Sequence, residues 1–183
     1  MITIVIEGTD GSGKQTQSKL LLESLKEHGF KCRLQSFPNY DSPSSSLVKM
    51  YLSGEFGDAA ECLDAYQASS FYAVDRLSTM KLLEKEDIDI LVLDRYTSAN
   101  MVHQSYKIQN LEERNIFLDW LDDFEFVKLA LPRPDLTFFL DMPVEKSIEL
   151  AHSRTELKNQ SKQDIHEKDE NHLKKSLWGW KIC

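Results

Sequence analysis

Short apolar runs alternate along the chain with longer segments of helical periodicity. Four runs have the length and composition of buried or half-buried strands, at residues 2–6, 31–36, 88–93 and 136–140. Apolar residues recur at helical spacing in the segments between and after them, at 14–28, 47–52, 64–86, 111–129 and 143–153. Strands that alternate with helices predict a parallel sheet with right-handed crossovers. The pattern therefore predicts an α/β fold with three layers, α/β/α.

Composition and charge exclude several classes of protein. The 183 residues fit one domain, and no apolar run is long enough to span a membrane. The net charge of −8 argues against a nucleic-acid partner. Cys32, Cys62 and Cys183 lack zinc-site spacing and are predicted to be reduced thiols. Because the N-terminus also differs from a signal peptide, we expect a cytoplasmic protein.

A glycine-rich segment after the first strand predicts a phosphate-binding P-loop. Residues 8–14 read GTDGSGK, so Gly8 is followed after four residues by Gly13 and Lys14, where a helix begins. The glycines allow backbone N–H groups to face phosphate oxygens, and the helix N-terminus and Lys14 add positive charge. The candidate nucleotide-binding residues are Gly8, Thr9, Asp10, Gly11, Ser12, Gly13, Lys14, Gln15 and Thr16.

Gln15 departs from the usual P-loop motif. A Ser or Thr, whose hydroxyl contacts Mg²⁺, normally follows the lysine. Here the amide oxygen of Gln15 is the candidate metal ligand at that position, either directly or through water.

Further motifs resemble the thymidylate kinase family. They are FPNY at 37–40, YLSGEFG at 51–57, FYAVDR at 71–76, LDRY at 93–96, ALPRPDLTFFLDMP at 130–143 and DIHEKD at 164–169. With the P-loop, they extend the resemblance from residue 1 to about residue 176. The resemblance implies a five-stranded parallel sheet and phosphoryl transfer from ATP to dTMP, for dTTP synthesis. It also implies Mg²⁺ as the cofactor and a homodimer.

The resemblance implies a role for each matching residue. Asp94 would hold Mg²⁺ through water, and Arg95 would bridge the donor and acceptor phosphates, over which charge spreads during transfer. Tyr72 would stack on the thymine ring and Arg76 would bond its edge. The implied catalytic residues are Lys14, Asp94, Arg95 and Arg154. The implied dTMP-binding residues are Asp10, Phe37, Tyr40, Tyr72, Arg76, Arg95, Asn100, Gln104 and Glu167.

Two further positions depart from the family pattern, and a third distinguishes two groups of relatives. Many relatives have an arginine at or next to Tyr40, so Arg95 would carry more of the dTMP phosphate charge here. His103 replaces a tyrosine that crowds the 2′ position of the sugar, so discrimination against ribonucleotides would be built differently. Gly11 replaces an arginine found in some relatives, which would move the cations into a lid at about 154–165. The candidate lid cations are Arg154, Lys158 and Lys162.

The C-terminal segment differs from the family. We expect one kinase domain at 1–176, with a last helix at 167–176, and an atypical tail, LWGWKIC, at 177–183. Relatives continue with a fifth strand and a terminal helix, so we expect a shortened chain. In such a chain, strand 136–140 would lie at the sheet edge without a neighbour on one side.

The sequence leaves two other functions open. One is a kinase for another deoxynucleotide or for a deoxynucleoside, although deoxynucleoside kinases tend to carry ERS where this chain has Asp94, Arg95 and Tyr96. The other is a nucleotide-binding protein with impaired transfer, which Gln15 and the tail keep open.

Overall fold

The computed structural model describes residues 1–57, 62–143, 146–147 and 150. The strands of its sheet are β1 (Ile2–Gly8), β2 (Cys32–Ser36), β3 (Ile90–Asp94) and β4 (Leu136–Leu140). They are parallel and lie in the order β2-β3-β1-β4. The parallel sheet predicted from the sequence is therefore confirmed.

Helices cover both faces of the sheet. The helices are α1 (Lys14–Glu27), α2 (Ser46–Leu52), α3 (Ala65–Leu83), α4 (Thr97–Ser105) and α5 (Leu111–Asp122), with a 3₁₀ turn at Pro43–Ser45. On one face, Leu21 and Leu25 of α1 pack against Ile4 of β1. On the other face, Met80 of α3 packs with Val5 of β1. Alternate strand residues point to opposite faces, so two helical layers enclose the sheet as the three-layer prediction requires.

Side-chain caps fix the start of two helices. At α3, the Asp64 carboxylate accepts a hydrogen bond from the Gln67 N–H at 2.8 Å, and the Gln67 side chain accepts one from the Asp64 N–H at 3.1 Å. This reciprocal pair satisfies backbone donors that a helix start would otherwise leave open. At α5, Asn110 Oδ1 accepts from the Glu113 N–H at 3.1 Å.

Two helical segments differ from the sequence prediction. α4 was not predicted, because its buried residues include Thr97, Asn100 and Gln104 and it therefore lacks a strong apolar period. The predicted helix at 111–129 is α-helical only to Asp122 and continues as a π-helical turn, Asp123–Lys128. The pattern of apolar residues does not distinguish the two helical geometries.

The apolar run of β4 is typical of a buried or half-buried strand, but its residues are largely exposed in the described structure. Its first four residues are exposed, and Leu136 and Phe138 expose about half of their surface, at 52% and 50%. β4 pairs with β1 and lies at the edge of the four-stranded sheet. An apolar run alone does not show whether a strand is central or at an edge.

Several predicted segments lie outside the described residues. They are the lid at 154–165, the last helix at 167–176 and the tail at 177–183, and the helix predicted at 143–153 is described only in part. Within the described chain, no helix has the length and apolar character needed to cross a bilayer. Cys32 and Cys62 are free thiols, while Cys183 lies outside the described residues.

Candidate active site

The P-loop connects the end of β1 to the start of α1, as the sequence predicts. Gly8 has a φ of 151°, and a Cβ atom there would lie 2.6 Å from Ser12 Oγ and 2.9 Å from the Leu140 carbonyl oxygen. Gly13 precedes α1 in the left-handed conformation, with a φ of 90°. Both positions therefore require glycine, Gly8 because of space and conformation and Gly13 because of conformation.

Lys14 is buried at the beginning of α1, with 7% of its surface exposed. Its Nζ donates hydrogen bonds to the carbonyl oxygens of Gly8 at 2.8 Å and Thr9 at 2.6 Å, and it lies 3.7 Å from Asp10 Oδ1. Burial and the neighbouring positive charge of Arg95 lower the pKa of Lys14 to about 8, although Asp10 acts in the opposite direction. Near neutral pH, Lys14 is thus a cation that is held by the loop itself.

Arg95 forms an ion pair with Asp10 across the site. Arg95 Nη2 donates to Asp10 Oδ1, and the Arg95 backbone N–H donates to the Ile6 carbonyl oxygen at 3.1 Å. Burial alone would raise the pKa of Asp10, but Arg95 and Lys14 hold it well below its usual range. Arg95 has a φ of 69°, which is uncommon for a residue with a side chain and is often found at functional positions.

Glu7 joins β1 to the start of α4, and sequence reasoning missed it. Its side chain is fully buried, and Oε1 accepts hydrogen bonds from the Tyr96 N–H at 2.9 Å, the Ala99 N–H at 3.2 Å and the Ser98 hydroxyl at 2.7 Å. Burial is the main reason that the pKa of Glu7 is raised. The available signal was a carboxylate within an otherwise apolar strand.

Arg76 and Glu125 form a buried ion pair on the other side of the site. Arg76 Nε donates to Glu125 Oε2 at 2.7 Å, and Arg76 Nη2 donates to Glu125 Oε1 at 2.5 Å. Their side chains are only 3% and 0% exposed. The Asn100 amide nitrogen also donates to Glu125 Oε1, at 3.0 Å. Glu125 was not predicted as a site residue, because nothing in its local sequence indicates its contact with α3.

A cavity of about 410 Å³ brings most of the predicted side chains together. Its volume lies within the range of small-molecule sites. The predicted residues that line it are Asp10, Gly11, Gly13, Lys14, Gln15, Phe37, Tyr40, Tyr72, Arg76, Asp94, Arg95, Asn100 and Gln104. The other lining residues are Ser36, Pro38, Leu52, Tyr96, Ala99 and His103.

The remaining predicted residues do not line the cavity. Gly8, Thr9 and Ser12 are buried in the loop itself, and Thr16 is exposed on α1. Arg154 and Glu167 lie outside the described residues, as do Lys158 and Lys162.

The cavity offers few metal ligands. Asp94 ends β3, and its Oδ2 lies 3.5 Å from the Ser36 hydroxyl, a weak contact that leaves the carboxylate available. Gln15 is exposed and also lines the cavity. Among the described residues, no cluster of three or more His, Cys, Asp or Glu side chains could hold a metal. This sparse oxygen set fits Mg²⁺, which is commonly bound by one or two protein oxygens together with substrate phosphates and water.

Comparisons with known proteins converge on one family. The profile described as thymidylate kinase matches residues 6–177. The thymidylate kinase of Mycobacterium tuberculosis is 27% identical over 169 residues, which cover 91% of this chain and 78% of that protein. The probable thymidylate kinase of Thermococcus kodakarensis is 31% identical over 157 residues, covering 82% and 71% respectively. The structure of thymidylate kinase from Candida albicans shares the fold, with a TM-score of 0.74 at 22% identity over 99% of this chain and 76% of that one.

Proposed function

The chain belongs to the thymidylate kinase family, and we propose that it transfers the terminal phosphoryl group of ATP to dTMP, giving ADP and dTDP. The observation that carries the proposal is the composition of one cavity. Lys14 of the P-loop and Arg95 at the end of β3 line it together with Tyr72 and Arg76 of α3 and Asn100 of α4. Phosphate-binding cations and a pyrimidine-sized aromatic and polar wall are the two features that such a transfer needs.

The two cations act on the phosphates. Lys14 binds the β- and γ-phosphates of ATP, and Arg95 bridges the γ-phosphate and the phosphate of dTMP. A phosphate oxygen of dTMP attacks the γ-phosphorus as the bond to the β-phosphate oxygen breaks, and ADP leaves. Charge spreads over the transferred group during this step, so fixed cations stabilise the transition state. Asp10, which holds Arg95, also accepts a hydrogen bond from the 3′-hydroxyl of dTMP.

The pyrimidine base lies against α3 and α4. Tyr72 stacks on the ring and Arg76 bonds its edge, while Phe37 and Tyr40 cover the sugar and phosphate side. Asn100 and Gln104 supply amide groups from α4, and each has a buried oxygen that accepts no hydrogen bond from the described residues. Buried oxygens of this kind are satisfied when a ligand donates to them.

Mg²⁺ would be held by Asp94 and Gln15, and it would neutralise phosphate charge during transfer. Arg154 and Glu167, outside the described residues, are proposed as a lid cation and an acid near the sugar. We also propose a homodimer, which apolar side chains exposed on α3 and α5 support. They are Tyr66, Val74, Leu82, Leu111 and Ile116.

A coupled assay of ADP release tests the function. dTMP, dUMP, thymidine and no acceptor are compared side by side with ATP and Mg²⁺. We expect dTMP to give the fastest release. Thymidine as the best acceptor would identify a deoxynucleoside kinase. ATP binding without release on dTMP would support the nucleotide-binding alternative.

A further inference from the structure

We propose that Glu125 determines which pyrimidine the cavity accepts, although the cavity lining does not include it. It does so by fixing a donor on Arg76 and an acceptor on Asn100. This donor and acceptor complement the hydrogen-bonding groups of a pyrimidine-2,4-dione and are mismatched with those of a 4-aminopyrimidine. The proposal rests on the proposed function, in which this part of the cavity holds the acceptor base.

Glu125 holds the guanidinium of Arg76 in one orientation. An ionised carboxylate can only accept hydrogen bonds, and Glu125 uses both oxygens to hold Nε and Nη2 of Arg76. This two-bond arrangement fixes the plane of the guanidinium. Arg76 Nη1 makes no hydrogen bond within the described part of the chain. The two N–H groups of Nη1 and the second N–H of Nη2 remain, and because Arg76 lines the cavity, Nη1 can donate to a ligand there.

Hydrogen bonds also determine the orientation of the Asn100 amide. Its Nδ2 donates to Glu125 Oε1 at 3.0 Å and to the Ser69 carbonyl oxygen at 3.2 Å. Both partners are acceptors, so the nitrogen end of the amide must face them. The oxygen end, Oδ1, is buried and has no hydrogen-bond partner among the described residues. Glu125 and the Ser69 carbonyl oxygen together therefore fix the Asn100 amide, and Oδ1 is left as its unused acceptor.

Pyrimidine bases differ in the hydrogen-bonding groups that they present at position 4 and N3. A pyrimidine-2,4-dione presents a carbonyl acceptor at position 4 beside an N–H donor at N3, which matches Arg76 Nη1 and Asn100 Oδ1. A 4-aminopyrimidine presents a donor at position 4 and an acceptor at N3. The Arg76 donor would then face another donor, and the Asn100 acceptor would face another acceptor. Polar groups left unpaired in a buried site give strong discrimination.

The backbone around Glu125 supports this role. Glu125 lies within the π-helical turn Asp123–Lys128, and its carbonyl oxygen accepts from the Leu131 N–H at 3.0 Å. The neighbouring acid in the same turn, Asp123, instead pairs with Lys128 on the surface, where its side chain is 49% exposed. π-helical turns often occur at functional sites. The turn thus supplies both the candidate residue and a matched control.

The test compares Glu125→Gln with Asp123→Asn. Dissociation constants and kcat/KM are measured for dTMP and for 5-methyl-dCMP, which differ only at position 4 and N3. We expect the parent and Asp123→Asn to prefer dTMP by at least about 100-fold. In Glu125→Gln, an amide nitrogen can replace the carboxylate oxygen that accepts from Asn100, which leaves the Ser69 carbonyl oxygen as the remaining acceptor and weakens the fixed orientation. We therefore expect this preference to fall by about tenfold or more. An unchanged preference in folded Glu125→Gln would overturn the proposal.

The proposed function can fail separately. A parent chain that prefers dTMP in binding but releases no ADP would contradict the transferase, while the binding ratio still tests Glu125. A parent that does not prefer dTMP to 5-methyl-dCMP would overturn the Glu125 proposal.

If Glu125→Gln does not fold, the parent chain provides a second test. The side-chain amide protons of Asn100, assigned by NMR through their loss in Asn100→Ala, should exchange slowly before dTMP is added. Exchange as fast as that of an exposed amide would overturn the fixed orientation.

Discussion

Glu7 Oε1 accepts a 2.9 Å hydrogen bond from the backbone N–H of Tyr96, the residue that follows Arg95. This contact links the strand that leads into the P-loop to the turn that carries Arg95. The same oxygen accepts from the Ala99 N–H and the Ser98 hydroxyl. Glu7, although distant in the sequence, therefore caps the N-terminus of α4.

Removal of the Glu7 oxygens is expected to destabilise the chain and reduce transfer. Glu7→Leu leaves three donors without their acceptor, and each buried donor without a partner costs about 1–3 kcal/mol. Glu7→Gln keeps an acceptor in the same place, so its free energy of unfolding should lie closer to that of the parent. Urea unfolding gives the stabilities, and ADP release should show a greater loss of kcat in Glu7→Leu. Equal stability of Glu7→Leu and the parent would contradict this role.

Loss of either cation that is proposed to bind phosphate should abolish most transfer. We expect Lys14→Ala and Arg95→Ala each to lower kcat by roughly 10³-fold, because such groups stabilise charge that develops in the transition state. Lys81→Ala is the control, since Lys81 is exposed and, among the described residues, pairs with the nearby surface residue Glu84. Activity within a few-fold of the parent in either site variant would show that its role is wrongly assigned.

The pKa of Lys14 predicts a link between protonation and ATP binding. With a pKa of about 8, Lys14 in the free protein loses its charge as the pH rises through 8. Phosphates favour the charged form, so ATP affinity should fall between about pH 8 and 9.5. Binding near pH 8.5 should also take up protons, which calorimetry detects in buffers of different ionisation enthalpy. Lys14→Met should lack this component.

The same pKa fixes a sign for stability. Because the folded pKa of Lys14 is lower than its ordinary value of 10.5, the unfolded chain binds more protons between about pH 8 and 10.5. Lys14 should therefore make the ligand-free protein more stable as the pH rises through that range. The difference in unfolding free energy between the parent and Lys14→Met should follow this direction. The opposite slope would contradict the lowered pKa.

Restoration of the usual P-loop hydroxyl should change the requirement for metal. We expect Gln15→Thr to lower the Mg²⁺ concentration for half-maximal ADP release, because a hydroxyl is the common ligand at this position. Gln15→Ala provides the matched loss of the amide. If the two variants and the parent need the same Mg²⁺ concentration, the metal does not contact residue 15.

The sequence predicted the elements whose signals are local. Each strand is a short apolar run, and the P-loop is defined by glycines and a lysine within seven residues, so both followed from the sequence. α4 did not, because its buried face carries Asn100 and Gln104 in place of a continuous apolar stripe. The π-helical turn after α5 did not either, because it shares the residue preferences of an α-helix.

The contacts between site residues that are distant in the sequence could not be predicted from local sequence patterns. Arg76 was predicted to meet the base, but its ion pair with Glu125 joins residues 49 positions apart. Glu7 and Tyr96 are 89 positions apart. Such contacts arise only when the sheet brings distant turns together, and no spacing in the sequence reveals them. The exposure of β4 likewise depends on its place in the sheet order.

The ion pair between Asp10 and Arg95 has a consequence for how anionic ligands arrive. Among the described residues, Asp10 and Asp94 offset the charges of Lys14 and Arg95, and Glu125 offsets that of Arg76. This part of the cavity therefore presents little excess positive potential, while the whole chain carries a net charge of −8. A nucleotide that approaches from a distance is therefore repelled before it is attracted. Added salt screens this repulsion over about 10 Å and should speed association, the reverse of electrostatic steering. If Arg95 binds phosphate as proposed, we expect capture of the nucleotide to require that a phosphate replace Asp10 as the partner of Arg95.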